Sequence, residues 1–216
     1  MPTVLIAGAS RGIGLGLARQ YAEYNWEVHA TTRTPDAPGM LGEIEGVTVH
    51  PLEVRDNEQA VAIARSLRNT PLDVFIHNAG VSATGRSREE VFQINADAPF
   101  LVVEALFSNL CAAKSPKLVL MTSQLGSRGG NRSNLGVYGD SKAALNDRFR
   151  KVEAKWRGQG ITAVVVHPGW VRTAMGGSNA PLSIAESARG IYEVVAGLRP
   201  NDGGRFLTWD GRDHAW

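Results

Sequence analysis

The stretch TVLIAGASRGIGLGLARQY, residues 3–21, joins an apolar run, a glycine-rich turn and a helical pattern. Thr3–Ala7 is short and apolar, which is typical of a buried strand. Residues 8–14 contain three glycines, and apolar side chains then recur at every fourth position from Ile13 to Tyr21. That spacing predicts one buried face of a helix. A strand, a turn and a helix in this order indicate the first βα unit of an α/β fold.

The same alternation continues along the chain. Apolar runs predict further strands at residues 26–32, 47–52, 72–77, 117–122, 161–166 and 205–209. Helical spacing predicts helices at residues 58–68, 89–112, 138–157 and 183–198, with a bend near Pro99. Repeated βα units predict a Rossmann-type, doubly wound parallel sheet of about seven strands with helices on both faces. We expect a single domain over residues 1–216, with ligands at the carboxyl ends of the strands.

Composition excludes several classes of protein. The chain has 216 residues, of which 43% are hydrophobic and 20% are charged, so it can form a sizeable core. Lys and Arg number 23 and Asp and Glu number 21, which leaves a formal net charge of +2. With that balance and no dense basic block, we expect no partner among nucleic acids.

Cysteine and histidine patterns argue against a metal centre. The single cysteine, Cys111, excludes an internal disulfide and a site built from several thiolates. The five histidines form no HExxH motif and no regular ligand spacing, so no metal site is expected. We also expect no signal peptide and no apolar run of the ~18 residues that a bilayer requires. These features predict a cytoplasmic protein without a membrane partner.

The glycine-rich turn is a candidate phosphate-binding loop. Residues 8–14 read GASRGIG, so backbone N–H groups at a helix N-terminus could approach a pyrophosphate closely. The spacing is GxxxGxG rather than GxGxxG, and no Walker lysine-serine pair follows. A tight strand-to-helix turn that binds nothing is the alternative. The position in the first βα unit favours a dinucleotide.

The end of the second predicted strand indicates which dinucleotide. Residues 30–33 read ATTR, without the acidic residue that would accept the ribose hydroxyls of NAD. Arg33 could instead bind a 2′-phosphate, and Arg11 is placed to help. The alternative is two solvated arginines. The pattern favours NADP(H) over NAD(H).

Tyr138 and Lys142 form a candidate proton donor. They lie four residues apart at the start of a predicted helix and therefore share one face. A free tyrosine has a pKa of roughly 10, and a nearby ammonium would lower that pKa. Tyr138 would then protonate a carbonyl oxygen, which Ser123 at the end of the fifth strand could hold. The alternative is an exposed tyrosine beside a solvated lysine.

The chain resembles the short-chain dehydrogenase/reductase family over essentially its whole length. The residues that carry the resemblance are GASRGIG (8–14), HNAG (77–80), Asn95, Ser123, YGDSK (138–142) and HPGWVRT (167–173), in family order. The compact length and the ending, residues 206–216, are most similar to the C-factor and sniffer-type carbonyl reductases.

The resemblance implies a role for each motif. Asn95, Ser123, Tyr138 and Lys142 would be the catalytic tetrad, in which Asn95 holds a water that links Lys142 to solvent. The cofactor would contact Gly8, Ser10, Arg11, Gly12, Ile13, Gly14, Arg33, Glu53, Val54, Asn78, Ala79, Gly80, Tyr138, Lys142, Pro168, Gly169, Val171 and Thr173. Substrate would meet Gln124, Leu125, Trp170 and Met175 in a shallow, open pocket, although Trp170 could equally be a core residue.

Two departures from the family pattern are relevant to the structure. Ala7 stands where a threonine is usual, which removes a hydroxyl that would bond between strands. His77 replaces the first asparagine of NNAG, and we expect only a structural effect.

The predicted activity is NADPH-dependent reduction of aldehyde or ketone carbonyls, with Tyr138 as proton donor and a small molecule as substrate. The alternative is a catalytically quiet NADP(H)-binding redox sensor. Epimerase or dehydratase chemistry uses related Tyr–Lys pairs, but the chain has too few residues beyond the last strand for a sugar-binding lobe. The helices predicted at residues 89–112 and 138–157 are candidate surfaces for a homo-oligomer.

Overall fold

A computed structural model describes residues 1–68, 70–129 and 136–216. The described residues form one sheet of seven parallel strands in the order β3-β2-β1-β4-β5-β6-β7. The strands are β1 (Thr3–Ala7), β2 (Glu27–Thr32), β3 (Val47–Pro51), β4 (Val74–His77), β5 (Lys117–Met121), β6 (Thr162–His167) and β7 (Phe206–Thr208). The predicted doubly wound parallel sheet is therefore confirmed.

Six α-helices of the described residues cover the two faces of the sheet. They are α1 (Gly12–Glu23), α2 (Asn57–Ser66), α3 (Arg88–Phe92), α4 (Ala98–Cys111), α5 (Gly136–Arg157) and α6 (Ile184–Gly197). One hydrophobic cluster joins the sheet to α2, α4 and α5, and a second joins it to α1 and α6. Because both faces are covered, the inner strands are apolar on both sides, which explains their continuous hydrophobic runs.

Most predicted elements are present but shorter than predicted. The largest difference is the helix predicted at residues 89–112, which the structure divides into α3, a π-helical turn (Gln93–Asp97) and α4. Pro99 lies in the first turn of α4, where its missing N–H needs no helical partner. The irregularity therefore comes before the proline and contains Asn95. Such π turns frequently occur at functional sites.

The segment Arg88–Cys111 is long and apolar enough to cross a membrane by length and composition alone. In this fold, 56% of its apolar window is buried inside the molecule. That burial is what a core helix of a soluble protein shows.

The parallel register brings the strand ends to one edge of the sheet. Gly8 follows β1 and Asn78 follows β4 on the neighbouring strand. Ser123 follows β5 and Pro168 follows β6 at the same edge. The motifs of the sequence therefore meet where the chain leaves the strands, as the topology of such sheets requires.

Candidate active site

The glycine-rich turn has a geometry that only glycine permits at two points. Gly8 has a φ of +80°, and a Cβ there would lie 2.7 Å from the Cα of Ala79. At Gly14 a Cβ would lie 2.2 Å from the carbonyl oxygen of Gly8. The turn is therefore folded tightly against the start of α1. Among the described residues, no side chain caps that helix, so its first N–H groups point into the turn.

Hydrogen bonds from neighbouring strands fix this turn. The Asn78 amide donates from Nδ2 to the carbonyl oxygen of Gly8 at 2.7 Å. The backbone N–H of Gly8 donates to Oγ1 of Thr31 at 3.0 Å. Thr31 thus supplies a hydroxyl from β2, although Ala7 lacks the one that is usual in β1. The sequence analysis did not single out Thr31, and its place at the end of β2 is the signal that would have found it.

A cleft of about 780 Å³ opens from this turn along the carboxyl edge. Its wall contains most of the predicted cofactor residues: Gly8, Ser10, Arg11, Gly12, Ile13, Arg33, Glu53, Val54, Asn78, Ala79, Gly80, Tyr138, Lys142, Pro168 and Thr173. The structure therefore brings the glycine-rich turn and the Tyr–Lys pair into one cavity.

Several predicted residues lie outside the wall of the cleft. Gly14 is buried beneath the turn, and Gly169 and Val171 flank the wall without lining it. Of the four predicted substrate residues, Met175 lines the cleft, whereas Gln124, Leu125 and Trp170 do not.

Trp170 is not a core residue. It is 52% exposed, and its indole N–H donates to the carbonyl oxygen of Gly176 at 2.7 Å. Met175 is also 52% exposed and lines the cleft, and the indole of Trp170 bonds to the next residue, Gly176. The cleft extends along the carboxyl edge from the glycine-rich turn to Met175, so its volume includes the predicted cofactor residues as well as one predicted substrate residue.

Cationic side chains line the cleft. Arg11 and Arg33 are exposed at its wall, as the sequence predicted. Arg86 and Arg172 line it as well, and sequence reasoning did not identify either of them. Arg172 donates to the carbonyl oxygens of Ala180 and Pro181, at 2.9 and 2.7 Å, and so fixes the segment after β6. These positive charges make the cleft suitable for a phosphate-bearing ligand.

Tyr138 and Ser123 face each other across the start of α5 and the end of β5. Burial raises the pKa of the Tyr138 phenol, and a hydrogen bond with the Ser123 hydroxyl acts in the opposite direction. The sequence analysis expected the ammonium of Lys142 to lower this pKa. In the structure the larger influence is burial, so the phenol is protonated near neutral pH.

Lys142 is buried and lies one helical turn from Tyr138. Its Nζ donates to the carbonyl oxygen of Met121 at 2.9 Å. Burial lowers the pKa of Lys142 from 10.5 to about 8. The ammonium has three N–H donors, of which the hydrogen bonds recorded for the described residues use one. The remaining donors can serve a ligand in the cleft.

Asn95 is fully buried and holds the loop after β4. Its Oδ1 accepts from the backbone N–H of Val81 at 2.9 Å, and its Nδ2 donates to the carbonyl oxygen of the same residue at 2.9 Å. Nδ2 also donates to Oγ of Ser141 at 3.0 Å, which connects the π turn to α5. A Cβ at Gly80 would meet Oδ1 of Asn95 at 3.2 Å and Nζ of Lys142 at 3.5 Å, so the two groups converge on one point.

His77 is buried at the end of β4, where the charge of Lys142 acts on its ring. Its Nε2 has no hydrogen-bond partner among the described residues. Burial and, to a smaller extent, the charge of Lys142 lower the pKa of His77 to about 3. The ring is therefore neutral and adds no second positive charge beside Lys142.

The chemistry of this donor set fits a nicotinamide dinucleotide. The helix N-terminus within a turn that excludes side chains suits a pyrophosphate. Arg11 and Arg33 suit a further phosphate, and Tyr138 and Lys142 line the cleft from α5, whereas Ser123, after β5, does not line it.

Comparison with known proteins agrees with this geometry. Residues 2–181 match the family described as short chain dehydrogenase. The chain is 36% identical over 164 residues to the C-signal protein of Myxococcus xanthus, a match that covers 72% of this chain and 99% of that protein.

Two solved structures are similar over their whole length. The carbonyl reductase Sniffer of D. melanogaster superposes with a TM-score of 0.90 at 27% identity, with 100% of both chains covered. An NADPH-bound carbonyl reductase from chicken fatty liver gives a TM-score of 0.87 at 31% identity, with 100% of this chain and 99% of that chain covered.

Proposed function

Because this chain belongs to the short-chain dehydrogenase family, we propose that it is an NADPH-dependent oxidoreductase that reduces aldehyde or ketone carbonyls with Tyr138 as the proton donor. One observation carries the proposal: the Tyr138–Lys142 pair lies in the same cleft as the glycine-rich turn. A cofactor cleft without a proton donor would suit a binding protein. The combination suits a reductase.

Ser123, Tyr138 and Lys142 each have a different role in the proposed reduction. A bound nicotinamide cofactor supplies the hydride. Ser123, whose hydroxyl bonds the phenol, would hold the carbonyl oxygen of the substrate. Tyr138 donates its proton to that oxygen, and a protonated phenol with a raised pKa is the form that this step needs. Lys142 would stabilise the phenolate that remains, because its buried ammonium follows Tyr138 by one helical turn and lines the same cleft.

We propose that Asn95 has two roles: it fixes the loop after β4, and its π turn holds a water beside Lys142. Its side-chain bonds to Val81 and Ser141 fix the loop after β4 relative to α5. The π turn that contains Asn95 would let a backbone carbonyl hold a water beside Lys142. That water would return protons from solvent to Tyr138.

Preference for NADP(H) over NAD(H) is a further part of the proposal. Arg33 follows the end of β2 and Arg11 lies in the glycine-rich turn, and both line the cleft. Guanidinium groups bind phosphate oxygens in pairs of hydrogen bonds, so these two arginines suit a 2′-phosphate.

The substrate is proposed to be a small carbonyl compound with apolar substituents. Met175, Ile94, Val81 and Met121 contribute apolar surface within the cleft, and Trp170 is proposed to lie at its rim. We propose that residues 1–216 act as one domain in the cytoplasm, without a nucleic-acid or membrane partner. Pairing through α4 and α5 is the proposed route to a homo-oligomer.

Cofactor oxidation by the purified protein tests the proposal. NADPH and NADH are compared against a panel of aldehydes, ketones and dicarbonyls, for the wild type, Tyr138→Phe and the control Tyr24→Phe, because Tyr24 caps the C-terminal end of α1 and does not line the cleft. We expect turnover with NADPH and a loss of about 10²–10⁴-fold in kcat for Tyr138→Phe alone. Tight NADPH binding without turnover on any carbonyl would instead support the redox sensor.

A further inference from the structure

The segment after β7 folds back along that strand. The backbone N–H of Thr208 donates to the carbonyl oxygen of Arg212 at 2.8 Å, and His214 donates in the same way to Phe206 at 2.7 Å. The guanidinium of Arg205 binds both carboxylate oxygens of Asp213, at 2.8 and 3.0 Å. Residues 211–216 are therefore held in place along the outer edge of the sheet.

This return segment ends with Trp216 against α5. The indole stacks on Phe149 with ring centroids 6.1 Å apart, and it lies 5.4 Å from the ring of Phe206. The guanidinium of Arg150 lies 5.4 Å from the centre of the indole, in cation–π geometry. Three side chains thus fix the position of one partly buried aromatic ring.

The backbone of Trp216 is bonded to the loop that follows β5. Its carbonyl oxygen accepts from Oγ of Ser127 at 3.1 Å and from the backbone N–H of Gly129 at 2.5 Å. The contact is close, since a Cβ at Gly129 would lie 2.8 Å from that oxygen. The sequence-based roles given to the cofactor and substrate residues do not account for this contact.

The bonded loop is the one that carries Ser123. Only the 3-10 turn Gln124–Gly126 separates Ser123 from Ser127. Oγ of Ser123 accepts from the N–H of Leu125 at 3.1 Å, and its carbonyl oxygen accepts from Gly126 at 2.8 Å. A displacement at Ser127 therefore reaches Ser123 through one short hydrogen-bonded turn.

On its other side the turn packs against α5. Nδ2 of Asn146 donates to the carbonyl oxygen of Gly126 at 3.1 Å, and Oδ1 of Asn146 accepts from Thr122 at 2.7 Å. A Cβ at Gly126 would lie 2.7 Å from the backbone of Lys142. Asn146 thus holds the turn on the side of α5, and Trp216 holds its far end.

We propose that Trp216 is a positioning residue for the active site: it fixes the loop after Ser123 against α5, and so sets the alignment of the Ser123 hydroxyl with the Tyr138 phenol. This role rests on the proposed reductase function. Small displacements of reacting groups can reduce rates by about 10²-fold, so loss of this contact should lower kcat more than it lowers cofactor binding.

Trp216→Ala is compared with Trp26→Ala as a matched control. Trp26 is also a partly buried tryptophan, and it packs edge-on against Tyr21 with centroids 4.9 Å apart, on the α1 side of the sheet. We expect Trp216→Ala to lower kcat about 10-fold, with the Kd for NADPH within about twofold of the wild type. Trp216→Phe, which retains an aromatic ring, should restore most of kcat.

Hydrogen exchange gives a readout that does not need turnover. In Trp216→Ala the amides of residues 124–129 should exchange faster than in the wild type, and in Trp26→Ala they should not. If both variants lose activity only in proportion to the folded fraction, and exchange at residues 124–129 is unchanged, the positioning role is wrong. If exchange changes as expected but the wild type itself reduces no carbonyl, the proposed function fails and the structural contact stands.

Discussion

At the scale of single residues, Lys142 has opposite consequences for stability and for chemistry. A buried ammonium with a pKa of about 8 is less favourable in the folded chain than in water. Lys142→Met removes that charge and leaves the Met121 carbonyl oxygen without its donor. We expect the free energy of unfolding at pH 7 to rise by about 1–2 kcal/mol and reduction to be lost. Chemical denaturation and the NADPH assay measure both, and a large loss of stability would contradict this account.

The pH dependence of the same lysine can be measured in the wild type. The pKa of Lys142 is about 8 in the folded state and 10.5 in its ordinary state, so between these values the unfolded chain binds more protons. The contribution of Lys142 therefore increases stability as pH rises through this window. Carbonyl reduction should instead fall above pH 8, because the cation that stabilises the Tyr138 phenolate is lost. A kcat that stays constant from pH 7 to pH 10 would contradict the role of Lys142.

Arg33 gives a second prediction at this scale. Arg33→Ala should raise the Kd for NADPH by about 10–100-fold, which corresponds to the loss of a hydrogen bond to a charged group, and leave the Kd for NADH within about twofold. Arg189→Ala is the control, because Arg189 is exposed on α6 and pairs with Glu193 away from the cleft. Equal effects on the two cofactors would show that Arg33 does not bind the 2′-phosphate.

Residue identities were more predictable than residue environments. The Tyr138–Lys142 pair could be found from its spacing, and Arg33 from its place after the second strand. The hydroxyl that Thr31 contributes to Gly8 could not, since it depends on the register between β1 and β2. The dominance of burial in the pKa of Tyr138 was equally hidden, because spacing gives the distance between charges but not the solvent around them.

At the scale of elements, the glycine-rich turn should tolerate no side chain at Gly14, which is packed against the backbone of Gly8. Gly14→Ala would place a Cβ 2.2 Å from the carbonyl oxygen of Gly8 and 2.6 Å from Nδ2 of Asn78. We expect it to lower stability by about 1–3 kcal/mol, as overpacking does, and to abolish NADPH binding.

Gly197→Ala is the matched substitution at a position with space. Gly197 is the last residue of α6, and among the described residues nothing lies within 4 Å of an added Cβ. Alanine restricts the unfolded chain, so stability should rise by about 0.4–1 kcal/mol with unchanged cofactor binding. Equal behaviour of the two variants in thermal unfolding would contradict the packing described for the turn.

Element order followed from the sequence, whereas the division of the helix predicted at residues 89–112 did not. Apolar runs identified the seven strands that the described residues form. The π turn Gln93–Asp97 was missed because the apolar pattern continues through it from α3 into α4. The π turn depends on tertiary contacts, because the amide of Asn95 bonds to Val81 and to Ser141, which are 14 and 46 residues away in the sequence.

At the scale of the whole molecule, buried neutral histidines make the free energy of unfolding decrease as the pH falls. The pKa of His77 is lowered to about 3, mainly by burial, so between pH 6.5 and that value the unfolded chain binds one more proton. Stability from this group is present above pH 6.5 and decreases as the pH falls. His77→Asn should reduce the slope of unfolding free energy against pH by about 1.4 kcal/mol per pH unit in that range. Identical slopes in chemical denaturation from pH 4 to pH 6 would contradict this prediction.

Fold class and site position were predictable because the parallel sheet places every strand end at one edge. The contact of Trp216 with the loop after Ser123 was not predictable. It depends on how segments distant in sequence pack, and a single sequence carries no local signal for that.

Transfer of deuterium from NADPH labelled at the hydride position tests the central claim most directly. The alcohol product is analysed by mass spectrometry after incubation of the labelled cofactor and a carbonyl compound with the wild type or Tyr138→Phe. The account predicts one deuterium at the former carbonyl carbon with the wild type. With Tyr138→Phe, the amount of deuterated alcohol formed in the same time should be lower by about 10²-fold or more. Label transfer that is unaffected by the Tyr138→Phe substitution, or bound NADPH that transfers no label to any carbonyl, would contradict it.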